Sequence, residues 1–186
     1  EDFQLLLESF GPSASFCFGM PPLSMPRVEE TADTFEGNAK LKAQALWDRL
    51  EPSSWVLADD SGLVVDALGG RPGVFSKRYA GEHADDQQNN EKLLRELQPY
   101  YEPDERSASF VCVLVSISPA GELKWFRGSC PGHIAFSSQG KRGFGYDPLF
   151  VPNGYAQTFA QLGEDVKGKL SHRSAAFQEW LSAIHE

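Results

Sequence analysis

The stretch ADDSGLVVDALGGRPG, residues 58–73, decides how the rest of the chain is read. It follows the apolar run Trp55-Val56-Leu57-Ala58 with two adjacent carboxylates, Asp59 and Asp60, and then with glycines at 62, 69, 70 and 73. The apolar run reads as a short buried strand and the glycines as turns. Adjacent strand residues face opposite ways, so both acids reach one site only if the chain leaves strand geometry at Ser61-Gly62. Ligands of open α/β sheets gather beyond the carboxyl ends of strands. A carboxylate pair placed there suits Mg2+, which takes carboxylate, water and phosphate oxygens. The competing reading is a hydrated loop with capping acids.

Working outward, Asp33-Thr34-Phe35-Glu36 has the acceptor-x-x-Glu form that opens a helix. Ala39, Ala43, Leu46, Trp47 and Leu50 give that helix a buried stripe, and Glu51-Pro52 ends it. Further upstream, Phe3, Leu6, Leu7 and Phe10 lie on one face of a helix that Gly11 stops, and residues 16–28 read as a short strand and a proline-rich loop. Downstream, residues 84–98 predict a helix with Leu93, Leu94 and Leu97 inward. Phe110–Ile117 is an almost wholly apolar strand, as a sheet covered on both faces requires. Glu122–Arg127 is its expected hairpin partner across Pro119-Ala120-Gly121, with further short strands near His133–Phe136 and Leu149–Val151. A last helix starts near Ser171 and buries Ala176, Phe177, Trp180, Leu181 and Ile184. Interleaved helices and strands with a central hairpin predict one α/β or α+β domain around a mixed sheet.

Composition narrows the partners. The formal charge of −9 argues against nucleic acid as a partner of the general surface. No run approaches eighteen apolar residues, so no membrane span is expected. Cys17, Cys112 and Cys130 are odd in number and far apart, which suits a reducing compartment and forms no metal-spacing motif.

Three more clusters carry polar chemistry. Glu29-Glu30 stands just before the capped helix, in which Asn38 and Lys42 are four apart and share a face, while Lys40 points elsewhere. A lysine beside two acidic points can hold phosphate, or it can be ordinary helix surface. Gly143-Phe144-Gly145-Tyr146-Asp147-Pro148 sets an aromatic ring between glycines, for stacking on a base or for packing into the core. Asp147 is either a turn acid or a reader of a base edge. Lys167 precedes Ser171-His172-Arg173, where Ser171 caps the last helix and the free N–H groups of a helix start favour anions. A first-turn Arg opposes the helix dipole, which hints at use. His83, His133 and His185 show no partner pattern, and Cys112 reads as core.

Four blocks, EETADTFEGNAKLKA (29–43), ADDSGLVVDALGGRPGVFSKRYAG (58–81), GFGYDPLF (143–150) and KGKLSHR (167–173), resemble in order the inosine triphosphate pyrophosphatase-like, or non-canonical purine nucleoside triphosphatase, family. Septum-inhibitor-like nucleotide pyrophosphatases share that fold but are less similar in these blocks. The resemblance implies an elongated two-lobed α/β fold around a long mixed sheet, with a substrate cleft between lobes and a homodimer in the cytoplasm. It implies Mg2+-dependent hydrolysis of inosine, deoxyinosine and xanthosine triphosphates to the monophosphate and diphosphate. It assigns Glu30 and Asp60 to the metal and water, with Asp59 close behind. It assigns Lys42 to phosphate with Asn38 in support, Phe144 to stacking on the purine, Asp147, Lys167, His172 and Arg173 to the remaining base and phosphate contacts, and Ser61, Gly145 and Tyr146 to substrate binding. The family begins with a strand and a Ser/Thr-Gly-Asn phosphate loop. This sequence opens after that point, so the 1–186 domain is expected to lack them here. The alternative is a catalytically silent nucleotide-binding protein with the same fold.

Overall fold

The protein is described here from a computed structural model covering residues 28–49 and 55–184. The expected helix at Phe3–Phe10, nearly all of the strand and loop at 16–28, Cys17, the helix end at Leu50 to Pro52, and His185 lie outside the described residues.

Helix α1 (Phe35–Trp47) is followed by strand β1 (Val56–Val65), a 3₁₀ turn at Asp66–Leu68 and another at Gly73–Arg78. Helix α2 (Asp86–Glu96) and the 3₁₀ turn Pro103–Arg106 lead into β2 (Ser107–Ile117) and β3 (Leu123–Ile134). Strand β4 (Phe150–Pro152) and helices α3 (Phe159–Leu162), α4 (Glu164–Leu170) and α5 (His172–Ile184) complete the chain. The described strands form one sheet in the order β1-β2-β3-β4, antiparallel at each pairing. Helices cover both faces, giving the α/β class.

The strand expected to stop at Ala58 runs on to Val65. All ten of its residues pair with β2, from Val56 opposite Ile117 to Val65 opposite Ala108. Gly62 does not mark a turn. A Cβ there would meet the Gly73 carbonyl oxygen, the Ser76 hydroxyl and the Phe35 ring, so glycine lets the Gly73–Arg78 turn lie against the strand. The segments expected around Glu122–Arg127 and His133–Phe136 are likewise parts of the single strand β3. They are joined to β2 through a turn in which Ser118 accepts from Gly121 N–H at 2.8 Å.

Alternation along β1 sorts the core. Val56 packs with Phe35, Ala39 and Ala43 of α1 and with Val111, Val113 and Val115 of β2. Leu57 packs on the other face with Phe177 and Trp180 of α5 and with Cys112 and Leu114. Farther along, Leu63 and Val65 join Phe110, Leu93, Leu97, Tyr146, Leu149, Phe150 and Phe159 in a third cluster. Asp59 to Gly62 therefore form a polar interruption between two apolar sections of one strand.

The helix caps also differ in detail from the sequence reading. Thr34, not Asp33, caps α1, accepting from Gly37 N–H at 3.1 Å. Asp85 caps α2 in a capping box with Gln88. Ser171 caps α5 as expected, accepting from Ser174 N–H at 3.2 Å. Arg106, buried without a carboxylate partner, donates to the carbonyls of Leu97, Tyr100, Ile134 and Ala135 and so ties the end of α2 to the end of β3.

Helix α5 rests directly on β3 at Gly128, where a Cβ would overlap the His172 carbonyl oxygen and the Ala176 nitrogen. Gly128→Ala should cost about 1–3 kcal/mol through overpacking. Thermal denaturation should show this as a Tm lowered by roughly 2–12 °C. Ser129→Ala, at the neighbouring exposed position, should leave Tm essentially unchanged.

Candidate active site

Because β1 continues through the acid pair, Asp59 and Asp60 point to opposite faces of the sheet. Asp60 faces α1. Its Oδ1 lies 2.7 Å from Lys42 Nζ and its Oδ2 accepts from Asn38 Nδ2 at 3.4 Å. Thr34 starts α1 at a point that places Asn38 and Lys42, one turn apart, over this part of the strand. Asn38 is itself fixed, since its Oδ1 accepts from Ala32 N–H at 2.9 Å.

Lys42 also lies 2.8 Å from Glu30 Oε1 and donates to the Asp59 backbone carbonyl at 3.1 Å. Two carboxylates from segments thirty residues apart in sequence thus meet on one ammonium. A lysine has three protons, and these three contacts account for them. Arg78 Nη1 stands 3.5 Å from Glu30 Oε2, a partner that the sequence reading did not single out. The basic pair Lys77-Arg78 within the 58–81 block was the available signal.

The three charges are perturbed in different directions. Burial alone would raise the Glu30 pKa, but the hydrogen bond and charge of Lys42, helped by Arg78, leave it lowered. For Asp60 burial wins. It raises the pKa against the pull of Lys42, and the Glu30 charge adds to the rise. Burial acts to lower the Lys42 pKa, yet its two carboxylate partners hold it above the ordinary value.

Asp59 serves the α5 face. Its Oδ2 lies 3.1 Å from Arg173 Nε and accepts from Ser61 Oγ at 2.8 Å, with Cys112 Sγ at 3.9 Å. Ser61, two residues on, shares that face. Burial first and the Asp59 charge second push the Cys112 thiol up to about 12, so it is an inert core group. His172, at the start of α5, is 5% exposed and stacks on Phe110 with ring centroids 5.1 Å apart and planes 13° apart. Its Nδ1 is buried with no hydrogen-bond partner among the described residues. Burial, then the charges of Arg173 and Lys167, hold its pKa well below the usual imidazole value.

The glycine-aromatic loop makes the third part. Phe144 is 51% exposed, so its ring is not a core side chain. Lys167 Nζ sits 4.0 Å from the ring centroid and 2.6 Å from Asp147 Oδ2. That carboxylate also accepts from Phe144 N–H at 3.0 Å, while burial, the larger influence, keeps its pKa raised. Tyr146, by contrast, is buried, and its hydroxyl donates to the Ser76 carbonyl at 2.8 Å. Gly145 is held by Asp86 and Asn90 of α2, two residues absent from the sequence-based selection.

The structure therefore joins Glu30, Asn38, Lys42 and Asp60 in one group, Asp59, Ser61 and Arg173 in a second, and Phe144, Asp147 and Lys167 in a third. His172 adjoins the second through its neighbour Arg173. Among the described residues no three or more His, Cys, Asp or Glu side chains cluster as metal ligands. The donor set that does converge is the oxygen pair of Glu30 and Asp60, already gathered round a single cation.

The chain has similar relatives among known proteins. A dITP/XTP pyrophosphatase of Oceanobacillus iheyensis is 44% identical over 187 residues, spanning 99% of this chain and 93% of that protein. One from Opitutus terrae is 51% identical over 156 residues, spanning 83% of this chain and 76% of that protein. The solved structure of the Staphylococcus aureus Ham1 protein superposes with a TM-score of 0.79 at 45% identity, covering 86% of this chain and 80% of that one. The Mycobacterium abscessus nucleoside-triphosphatase, or dITP/XTP pyrophosphatase, gives a TM-score of 0.71 at 40% identity, covering 84% and 80%. The family model described as Ham1 matches residues 3–183, and with relatives at this identity the chain belongs to the Ham1 family.

Proposed function

We propose that this protein hydrolyses non-canonical purine nucleoside triphosphates, the inosine, deoxyinosine and xanthosine forms, to the monophosphate and diphosphate. The observation that carries the chemistry is the meeting of Glu30 and Asp60 on Lys42, at 2.8 and 2.7 Å. The reaction and substrate class rest on the dITP/XTP pyrophosphatases to which the chain is 44–51% identical.

The two converging carboxylates fit Mg2+, a hard cation that is held by one or two carboxylates with the remaining positions left to water and phosphate oxygens. Glu30 and Asp60 would hold it, and when bound it supplies Lewis acidity to the phosphate oxygens and to water. Asp60 accepts the proton of the attacking water. Burial raises its pKa above that of a free aspartate, a bound cation would offset that rise, and the acidity the cation would lend to water would share the work. Water oxygen forms its bond to the α phosphorus, and the bond from that phosphorus to the α,β-bridging oxygen breaks. The electron pair leaves with the diphosphate. Asn38 orients Asp60 from its second oxygen, and Arg78 steadies Glu30. Lys42 exchanges a carboxylate for a phosphate oxygen as the nucleotide enters, because its three protons are engaged beforehand.

On the base side, Phe144 offers a half-exposed ring for stacking, one face of which carries the Lys167 ammonium. Arg173, fixed through Nε by Asp59, is a donor suited to the carbonyl at position six of hypoxanthine and xanthine. Adenine presents an amine there, which faces another donor. A mismatched buried hydrogen bond of this kind costs roughly 1–3 kcal/mol. Selectivity against adenine is this difference, whereas guanine shares the six-carbonyl and has to be distinguished at its two-amino group. Asp59 thus acts on the base through Arg173, not beside Asp60.

The decisive experiment measures diphosphate release with Mg2+ from adenosine, guanosine, inosine and xanthosine triphosphates. Turnover should favour the last two, and equal turnover of all four would remove the base-selective reading. Asp60→Asn should lower kcat by roughly 10²–10⁴-fold, the usual worth of a general base, while circular dichroism shows a folded chain. A silent nucleotide-binding protein would show no turnover to lose. Phe144→Ala should raise the dissociation constant for inosine monophosphate about 5–150-fold, corresponding to roughly 1–3 kcal/mol of lost stacking by calorimetry.

Stability should also report on His172. Its folded pKa is depressed, whereas the unfolded chain titrates near the ordinary value of about 6.5. Below that pH the unfolded state takes up a proton that the folded state refuses, so stability falls as pH drops. The slope from this one group approaches ~1.4 kcal/mol per pH unit. In urea denaturation between pH 7.5 and 5, His172→Gln should lose less stability than wild type. Parallel losses would show that His172 charges freely in the folded protein.

A further inference from the structure

The ring of Phe144 stands on a backbone with little intrinsic rigidity. Gly143 and Gly145 both adopt left-handed conformations, with φ of 75° and 59°, and the ring is half exposed. Packing anchors the segment at the buried Tyr146 but leaves Phe144 and Gly145 to other restraints. Hydrogen bonds supply these, and they come from three places. Asp147 holds Phe144 N–H, the Ser76 carbonyl holds the Tyr146 hydroxyl, and α2 holds both polar groups of Gly145.

The hold from α2 is asymmetric. Asp86, in the exposed first turn, accepts from Gly145 N–H at 2.6 Å. Asn90, four residues on and therefore on the same helix face, donates from Nδ2 to the Gly145 carbonyl at 2.9 Å. Asn90 is 7% exposed, and its Oδ1 is buried without a hydrogen bond among the described residues. An unsatisfied buried acceptor is costly. A leucine at this site would bury the same helix face without that cost, but it would leave the Gly145 carbonyl without its donor. The amide is therefore better explained by the loop it holds than by the helix core it joins.

We infer that Asp86 and Asn90 are positioning residues for base recognition, holding the Gly145 peptide groups from both sides so that the Phe144 ring is set before the purine arrives. The inference deepens the purine reading of that loop and rests on it. Neither residue touches the nucleotide. Each acts by cutting the conformational freedom that binding would otherwise have to remove.

Steady-state hydrolysis of inosine triphosphate by the full chain, with Mg2+, tests this with three variants. Asp86→Ala and Asn90→Asp should each raise KM about 5–30-fold, the worth of one such hydrogen bond. kcat should stay within about twofold, since the carboxylate group is untouched. Asp86→Asn keeps an acceptor oxygen but loses the charge that favours a helix N-terminus. It should restore KM to within about threefold of wild type even if Tm falls. A KM left unchanged by Asp86→Ala, or one that Asp86→Asn fails to restore, overturns the inference and leaves Asp86 a helix-start acid. Should Asn90→Asp not fold, the exposed Asp86 pair decides alone. Calorimetric binding of inosine monophosphate to the same proteins separates the two layers. A wild-type chain that binds without hydrolysing counts against the reaction, whereas variants that bind as tightly as wild type count against the positioning role.

Discussion

The unbroken β1–β2 ladder sends two consecutive carboxylates to opposite faces of the sheet, and each face then recruits its own cation. Asp60 meets Lys42 from α1, and Asp59 meets Arg173 from α5. A turn at Ser61 would have brought both acids to one side, where their like charges would raise each other's pKa. The strand avoids that cost and gives the pair separate tasks. On the proposed reading one carboxylate serves water and metal, while the other fixes the Arg173 guanidinium. Ten ladder pairs hold this division in register. A slip of one residue would exchange the two faces outright.

The α1 face has an electrostatic logic of its own. Glu30 and Asp60 carry two negative charges against one on Lys42, with Arg78 at longer range from Glu30. Buried charges are tolerable when paired and hydrogen-bonded, and removing one partner leaves the others exposed to a large desolvation cost. The group thus keeps its shape before any ligand enters, with the ammonium standing among the oxygens that suit a divalent cation. Its uneven pKa shifts follow from uneven burial. Asp60 is 6% exposed and its carboxyl rises, whereas the more exposed Glu30 is governed by its two cationic neighbours and falls. That pulls the two acids apart in proton affinity, with Asp60 the stronger proton acceptor of the two.

Much of this was legible in the residues. A helix start at Asp33-Thr34, the α2 leucines, the apolar β2 and the Ser171 cap all follow from local rules of periodicity and capping, and all are present, with the first cap falling on Thr34, one residue after the acid the pattern pointed to. The acids, the lysine at 42 and the half-exposed Phe144 were identified as polar or aromatic groups in costly places. What local rules misjudged was Gly62. Glycine beside serine after two acids reads as a turn, yet its role is a close approach by a segment eleven residues away. Tertiary packing set that position, and no pattern in the stretch itself encodes it. The same holds for Arg106, whose four carbonyl partners come from separate segments, and for Asn90, which looks like any polar helix residue until its loop partner is known. Arg78 was within reach, since it lies in a block already singled out.

The proposed reaction needs the two groups at a fixed separation, because a nucleotide would span them and a small displacement is expensive in rate. Ser76 is where they are tied. Its hydroxyl accepts from Leu63 N–H at 2.9 Å, three residues past Asp60, and donates to the Gly73 carbonyl at 2.6 Å. Its own carbonyl receives the Tyr146 hydroxyl. A single residue thus spans from the strand that bears the carboxylate to the loop that bears the stacking ring. It can do so only because Gly62 has no side chain to hold the 73–78 turn away. The glycine that looked like a break in the strand is what lets the Phe144 loop take its bearing from that strand.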